Sequence, residues 1–319
     1  MPASLNRFPF AHTFSIVARD PLTGHMGVAV QSHWFSVGSV VAWGEPGVGV
    51  VATQSMVEKS YGPQGLTLMR SGVSALTALP ALLQADQNRE VRQVAMLDHF
   101  GQVAVHTGSR CIACAGDVRG DGFSVQANMM LNDTVWPSMD QAFRAATGPL
   151  AERMMAALEA AQTAGGDIRG QQSAALLVVS GIAGEHPWEG LLVDLRVEDH
   201  PQPVVELKRL LAVHRAYDWM NQGDEFLANG EVEQALQAYR SAAELAPDMD
   251  ELPFWHALTL AELDRMNEAA PIFKAVFQTN PNWAELVKRL PVAGLLKDDP
   301  ELMRQILALV NPGSDQKLS

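Results

Sequence analysis

Only two cysteines stand among 319 residues, too few for a disulfide framework. Basic residues are also scarce: 23 Lys and Arg face 36 Asp and Glu, for a formal net charge of −13. A surface of that average sign repels nucleic acid and anionic lipid, and no Lys/Arg run relieves it locally. No apolar run reaches the roughly 18–20 residues that a membrane span needs. The opening MPASLNRFPFAHTF lacks the basic head, apolar stretch and small-residue cleavage site of a secretory leader. A GxxxxGK[ST] phosphate loop is missing, as is a GxGxxG turn between strand and helix, so no nucleotide cofactor is expected. No metal is expected either. Cys111 and Cys114 have CxxC spacing, but no second pair closes a four-cysteine zinc site. His186, Asp194, Asp199 and His200 stand with Arg196 and Pro201 in what reads as surface loop. These gaps describe a soluble, cytoplasmic protein that acts on neither nucleic acid nor membrane.

What is present is enough for two domains: 47% hydrophobic residues in a chain of this length support a sizeable core. The character of the chain changes near residue 210. Residues 1–210 are β-rich and carry 14 Lys/Arg against 19 Asp/Glu, whereas 211–319 carry 9 against 17 and have helical spacing. The domains are therefore 1–210 and 211–319. The second contains an internal repeat, with Gly230/Asp264, Ala235/Ala269, Tyr239/Phe273 and Pro247/Pro281 each 34 apart. The small Ala pair suits a close helix approach, and each Pro stops a helix because it has no N–H to continue it. Residues 295–310 carry the spacing of a capping helix.

In the first domain, FSIVA and GVAVQS are apolar nearly throughout rather than alternating, which marks strands covered on both faces. Strands are predicted over 13–19, 26–32, 48–53, 91–97, 103–107, 123–127, 174–179 and 191–196. Helices are predicted over 62–71, 74–84, 135–147 and 150–164. The strands come as hairpins, which argues against a doubly wound parallel sheet. Two doubly covered sheets with helices outside make a four-layer sandwich.

The series TFSIVARDPLTGHMGVAVQS, GEPGVGVVATQS, SYGPQGL, VHTGSRCIACAG and GGDIRGQQSAALLV resembles a bacterial and archaeal domain-of-unknown-function family of N-terminal-nucleophile (Ntn) hydrolase-like proteins. The resemblance spans roughly residues 12–210. The 34-residue hairpins resemble tetratricopeptide repeats. Together they imply an α/β (α+β) fold: a four-layer αββα Ntn-hydrolase-like sandwich, then an all-α tetratricopeptide-like domain. Ntn-type domains commonly assemble, so a homo-oligomer is implied.

The same resemblance implies a Thr, Ser or Cys opening the first strand, and Thr13 holds that place. A Thr hydroxyl needs a base near pH 7, and a free α-amino group, with a pKa of about 7.7–8.0, supplies one on the same residue. Twelve residues precede Thr13, so activation requires cleavage at His12–Thr13, with His12 a candidate base. Ser15, two residues on, is a second nucleophile on the same face. Where a proteasome-like pattern has an acid, Gln31 stands, expected to orient the Thr13 hydroxyl. Where that pattern has a Lys, the chain offers Glu45.

Polar residues in apolar strands complete the expected site. Gln54 is assigned a catalytic role with Thr13 and Gln31, and the backbone N–H groups of Thr53, Gln54 and Ser55 are candidates for an oxyanion hole. Ser32, Asn128, Asp167, Arg169, Gln171 and Gln172 are expected to bind substrate. Gln126 and Thr107 are further polar positions, and His106 reads as a structural histidine. Two functions follow. One is an Ntn-type hydrolase of a small amide or related C–N bond, with repeats at 211–319 that bind a protein partner. The other is a non-catalytic ligand-binding scaffold with the same repeats.

Overall fold

The computed structural model describes residues 10–186 and 188–310, so most of the segment before Thr13 lies outside the described residues. The chain divides into two compact units after Leu210.

In the N-terminal unit, the strands are β1 (Phe10–Ala11), β2 (Thr13–Arg19), β3 (Met26–Ser32), β4 (Ala42–Glu45), β5 (Gly49–Met56), β6 (Arg92–Asp98), β7 (Val103–Thr107), β8 (Gly116–Gly120), β9 (Phe123–Ala127), β10 (Ser173–Val179) and β11 (Leu191–Val197). All pair antiparallel in two sheets. One has the order β1-β5-β6-β7 with β4 also on β5, and the other β11-β10-β3-β2-β9-β8. The helices are α1 (Tyr61–Arg70), α2 (Ala75–Ala85), α3 (Val135–Ala145) and α4 (Leu150–Thr163).

Strand alternation builds the layers. Val17, Val28, Val30, Ala175 and Leu177 of one sheet meet Val50, Ala52, Ala95 and Leu97 of the other in one buried cluster. The opposite faces of β5 and β6, through Val51, Val94 and Met96, pack on Leu66, Met69, Ala78 and Leu79 of α1 and α2. The second sheet rests on α4 so closely that a Cβ on Gly27 would lie 2.8 Å from the Met154 sulfur. This double coverage explains the unbroken apolar runs of β2 and β3. Three strands escape the sequence reading. β1 is two residues long, and β4 (AWGE) and β8 (GDVRG) are glycine-containing and only partly buried.

Helix α5 (Pro203–Ala228) carries the chain into the C-terminal unit, followed by α6 (Val232–Leu245), α7 (Glu251–Glu262), α8 (Met266–Thr279), α9 (Asn282–Val287) and α10 (Pro300–Leu307). The 34-residue period is written into the backbone. Gly230 and Asp264 both take left-handed φ, +79° and +58°. The next residues close matching bonds, Glu231 N–H to Phe226 O at 2.8 Å and Arg265 N–H to Leu260 O at 2.9 Å. These are Schellman closures one period apart. Ala235 and Ala269 are fully buried where the paired helices meet. The helix expected over 295–310 is shorter, because Asp299 caps it by accepting from the Glu301 and Leu302 N–H groups. No helix among the described residues is long and apolar enough to cross a membrane.

His256, buried against the Tyr239 ring, has its pKa pushed down to about 4, mainly because burial disfavours the imidazolium, with Arg240 adding to the shift. Between pH 6.5 and 4 the unfolded chain therefore binds a proton that the folded chain refuses. Stability is full above pH 6.5 and falls with acid by about 1.4 kcal/mol per unit for one such group. Thermal melts of His256→Gln over this window are expected to show a flatter decline in Tm than the parent chain.

Candidate active site

Toward the end of the sandwich where β2 begins, the face between the sheets turns from apolar to polar. Alternation brings Thr13 and Ser15 of β2, Ser32 of β3, Gln54 of β5, Gln93 of β6, Ser124 and Gln126 of β9, and Asn128 just beyond β9, to this interior. All eight are fully buried. An unpaired polar group there costs about 1–3 kcal/mol, so the site must be a closed network.

It is one. The Ser124 hydroxyl donates to Gln126 Oε1 at 3.0 Å, the Gln126 amide to Ser15 Oγ at 2.6 Å, and the Ser15 hydroxyl to Gln54 Oε1 at 2.6 Å. Gln54 Nε2 donates to Gln93 Oε1 at 2.7 Å, and Asn128 Nδ2 donates to the same oxygen at 2.8 Å. Gln93 Nε2 passes the chain to Thr107 Oγ1 at 2.9 Å, and Thr107 donates to the Asp117 carboxylate at 2.6 Å. Asn128 Oδ1 faces His12 Nδ1 at 2.7 Å. Burial, the largest effect, pushes His12 below its usual pKa, and the nearby Arg169 adds to this.

Thr13 is held on every side. Its carbonyl accepts from Asn128 N–H at 3.1 Å and Gln54 Nε2 at 3.3 Å. Its hydroxyl donates to the Ala11 carbonyl at 2.7 Å. The preceding carbonyl, that of His12, accepts from the Ser32 hydroxyl at 2.6 Å and Arg169 Nη2 at 2.9 Å. Arg169 is itself clamped by Asp167, Nε to Oδ1 at 3.0 Å and Nη2 to Oδ2 at 2.6 Å. Asp167 is almost fully buried and also accepts from His33 N–H at 3.3 Å.

The structure thus gathers Thr13, Ser32, Gln54, Asn128, Asp167 and Arg169. Other expected residues lie elsewhere. Gln31 does not orient the Thr13 hydroxyl. Thr13 registers with Ser32, so Gln31, one residue away, projects to the opposite face with Phe14 and Ala174. Neither of its amide atoms has a partner among the described residues. Gln172 turns its amide to Asp199 at 3.2 Å, and Gln171 contributes its backbone carbonyl to His33 Nδ1 at 3.3 Å. The oxyanion-hole expectation at 53–55 fails because β5 continues to Met56 and Thr53 N–H is used by Val41 O. Ser15 is tied as both donor and acceptor inside the network. Glu45 registers with Gly49 at the far end of β5 and pairs with Arg70. His106 is a structural histidine, bonded to Arg89 O at 2.9 Å. Cys111 and Cys114 are free thiols in the irregular segment before β8, and burial pushes the Cys111 thiol up. No group of three or more His, Cys, Asp or Glu side chains is placed to hold a metal among the described residues.

Sequence reasoning missed Gln93 and Asp117. A lone Gln in the strand RQVAMLD was the available signal for the first. For the second there was little, because β8 itself was not legible.

The model of a family of unknown function, DUF1028, matches residues 13–207. The crystal structure of protein SPO2555 from Silicibacter pomeroyi, assigned to the same family, is similar at 33% identity with a TM-score of 0.57. The match covers 63% of this chain and 85% of that one. No curated protein matches the chain.

The two buried glutamines are expected to respond oppositely to apolar replacement. Gln31→Met removes an unpaired amide and should raise stability by about 1–3 kcal/mol, read as a higher Tm. Gln93→Leu strands several partners at once and should lower stability by about 3 kcal/mol or more. Chemical denaturation of both variants measures the contrast.

Proposed function

We propose that this chain, which belongs to the DUF1028 family, is an Ntn-type hydrolase in precursor form, acting on a small amide or related C–N bond once Thr13 is unmasked. The observation that carries the reading is the cradle around the His12 carbonyl. Two donors, the Ser32 hydroxyl and the Arg169 guanidinium, sit at 2.6 and 2.9 Å on the oxygen that would become negative if the neighbouring Thr13 hydroxyl added to that carbon. The layered arrangement, helices outside two facing antiparallel sheets, is the one an αββα Ntn sandwich requires.

The cleavage is balanced as follows. Thr13 Oγ adds to the His12 carbonyl carbon while His12 takes the hydroxyl proton. The oxyanion collapses, the C–N bond breaks, and the leaving Thr13 nitrogen receives that proton. Water then hydrolyses the ester, freeing residues 1–12 with a His12 carboxylate and restoring the Thr13 hydroxyl beside a free amine. The Arg169 charge near that amine favours its neutral, basic form, moderated by Asp167. Gln54 and Asn128 then hold Thr13 through its carbonyl, and the vacated Ser32–Arg169 cradle receives the substrate carbonyl.

A second reading, a non-catalytic ligand-binding scaffold, draws support from one specific feature. Among the described residues, the side chains that hydrogen-bond to Thr13 are neutral amides on its carbonyl, and its hydroxyl donates to the Ala11 carbonyl rather than to a base. In both readings the C-terminal unit is a tetratricopeptide-like module for a protein partner. A hollow of about 480 Å³ between α5 and α7, walled by Met220, Leu227, Trp255 and Leu258 with Asp224 and Glu262, suits a basic segment with an apolar anchor.

Intact mass of the purified protein decides between the readings. Loss of residues 1–12, absent in Thr13→Ala and slowed about 10²–10³-fold in Ser32→Ala or Arg169→Met, supports the hydrolase. A full-length mass stable for days, or equal amide hydrolysis by Thr13→Ala, favours the scaffold. For the C-terminal unit, calorimetry with a Lys-rich amphipathic peptide is expected to show binding that weakens in Trp255→Ala and Glu262→Gln. Equal binding of an acidic peptide would remove that assignment.

A further inference from the structure

The hydrogen bonds buried between the sheets have a direction. A carboxamide donates only from nitrogen and accepts only at oxygen, so a chain of amides transmits orientation from one residue to the next. Gln93 is where that orientation is set. Its nitrogen faces three acceptors: Ala127 O at 2.9 Å, Gly116 O at 3.2 Å and Thr107 Oγ1 at 2.9 Å. The two backbone carbonyls can only accept. Thr107 is made to accept because its own proton is committed to the Asp117 carboxylate at 2.6 Å. The Gln93 nitrogen therefore cannot turn inward, and its Oε1 must.

The consequences follow in order. Oε1 receives Gln54 Nε2 at 2.7 Å and Asn128 Nδ2 at 2.8 Å, which fixes the flip of both amides. The same two nitrogens reach the Thr13 carbonyl at 3.3 and 3.4 Å. Asn128, so oriented, presents Oδ1 to His12 Nδ1 at 2.7 Å. An oxygen there requires a proton on Nδ1. In a neutral imidazole the lone pair is then left on Nε2.

We propose that Gln93, acting through the neighbouring amides, is the positioning residue for both Thr13 and His12: through Asn128 it holds His12 as the Nδ1–H tautomer, and through Gln54 and Asn128 it fixes the Thr13 carbonyl. Its use in cleavage rests on the hydrolase reading above, where His12 accepts the Thr13 proton. The tautomer itself does not. The depressed pKa of His12, caused chiefly by burial, keeps the ring neutral so that tautomer choice has meaning near pH 7. Gln93→Glu separates orientation from packing. With its buried carboxyl protonated and the O–H donated outward to the acceptors that Gln93 Nε2 faces, it keeps the shape and an inward-facing acceptor oxygen, whereas Gln93→Met keeps the volume but no acceptor.

The test is nitrogen NMR of the uncleaved full chain with labelled histidine, in the Thr13→Ala background wherever the parent cleaves itself, the His12 signals being those lost in His12→Gln. The parent is expected to show a predominantly Nδ1–H ring, Gln93→Glu the same, and Gln93→Met at least a tenfold rise in the Nε2–H fraction. An Nε2–H ring in the parent overturns the proposal without any variant. So does an unchanged tautomer in folded Gln93→Met, or loss of the Nδ1–H form in Gln93→Glu. If Gln93→Met does not fold, the parent and Gln93→Glu spectra still decide. Mass spectrometry on the same samples reports cleavage separately. A correct tautomer pattern with no cleavage leaves the positioning role standing and removes the hydrolase reading.

Discussion

The N-terminal unit is organised around the pairing of four amides buried between its sheets. Gln54, Gln93, Gln126 and Asn128 lie between two sheets with no access to water, where each unpaired group costs a sizeable fraction of a domain's net stability. The demand is met only if several strands arrive in one register. Gln93 needs β7 for Thr107, the end of β9 for Ala127 and the start of β8 for Gly116. A slip of one residue in any of them would withdraw the Thr107 hydroxyl or a backbone carbonyl from Gln93 and leave the hub unpaired. The network therefore specifies the fold as much as it decorates it.

The cradle beyond this network has a different character. Ser32, Asp167 and Arg169 come from a strand end and a glycine-bracketed turn and converge on one peptide carbonyl. Local conformational rules relax nearby. Ser55 and Met129 take left-handed φ without being glycine, at +72° and +61°. Departures of this kind concentrate where structure serves a site rather than stability. The C-terminal unit is the contrast. Its period, its turns and its buried Ala, Tyr and Phe positions agree with one another, as expected of stacked hairpins whose neighbours share a core.

Much of the fold was legible in the sequence because double coverage makes a strand apolar on both faces. That is why β2 and β3 match their expected limits to the residue; β7 and β9 match as well. The site was legible in part. Gln54 and Asn128 stood out as polar groups where apolar ones were due, Thr13 by its place at the head of the first strand, and Arg169 by its glycine-bracketed turn. Gln31 was misread because adjacent strand residues face opposite ways, and the register that separates Ser32 from Gln31 is set by pairing with β2 and β10, not by composition.

By itself the sequence determined the two-part organisation, the antiparallel strands, the 34-residue helical period and the place of Thr13 at the head of a buried strand. Each of these depends on local pattern: hydrophobic period, turn residues and breakers. Only the tertiary structure decided that Gln93 is the hub, that Asp117 terminates its chain, and that Ser32 and Arg169 share the His12 carbonyl. Those pairings join residues from 10 to 157 positions apart, one of them on a strand too short and polar to be read. A hydrogen bond between strangers in sequence is fixed by the packing of whole sheets, and no local preference of either residue announces it.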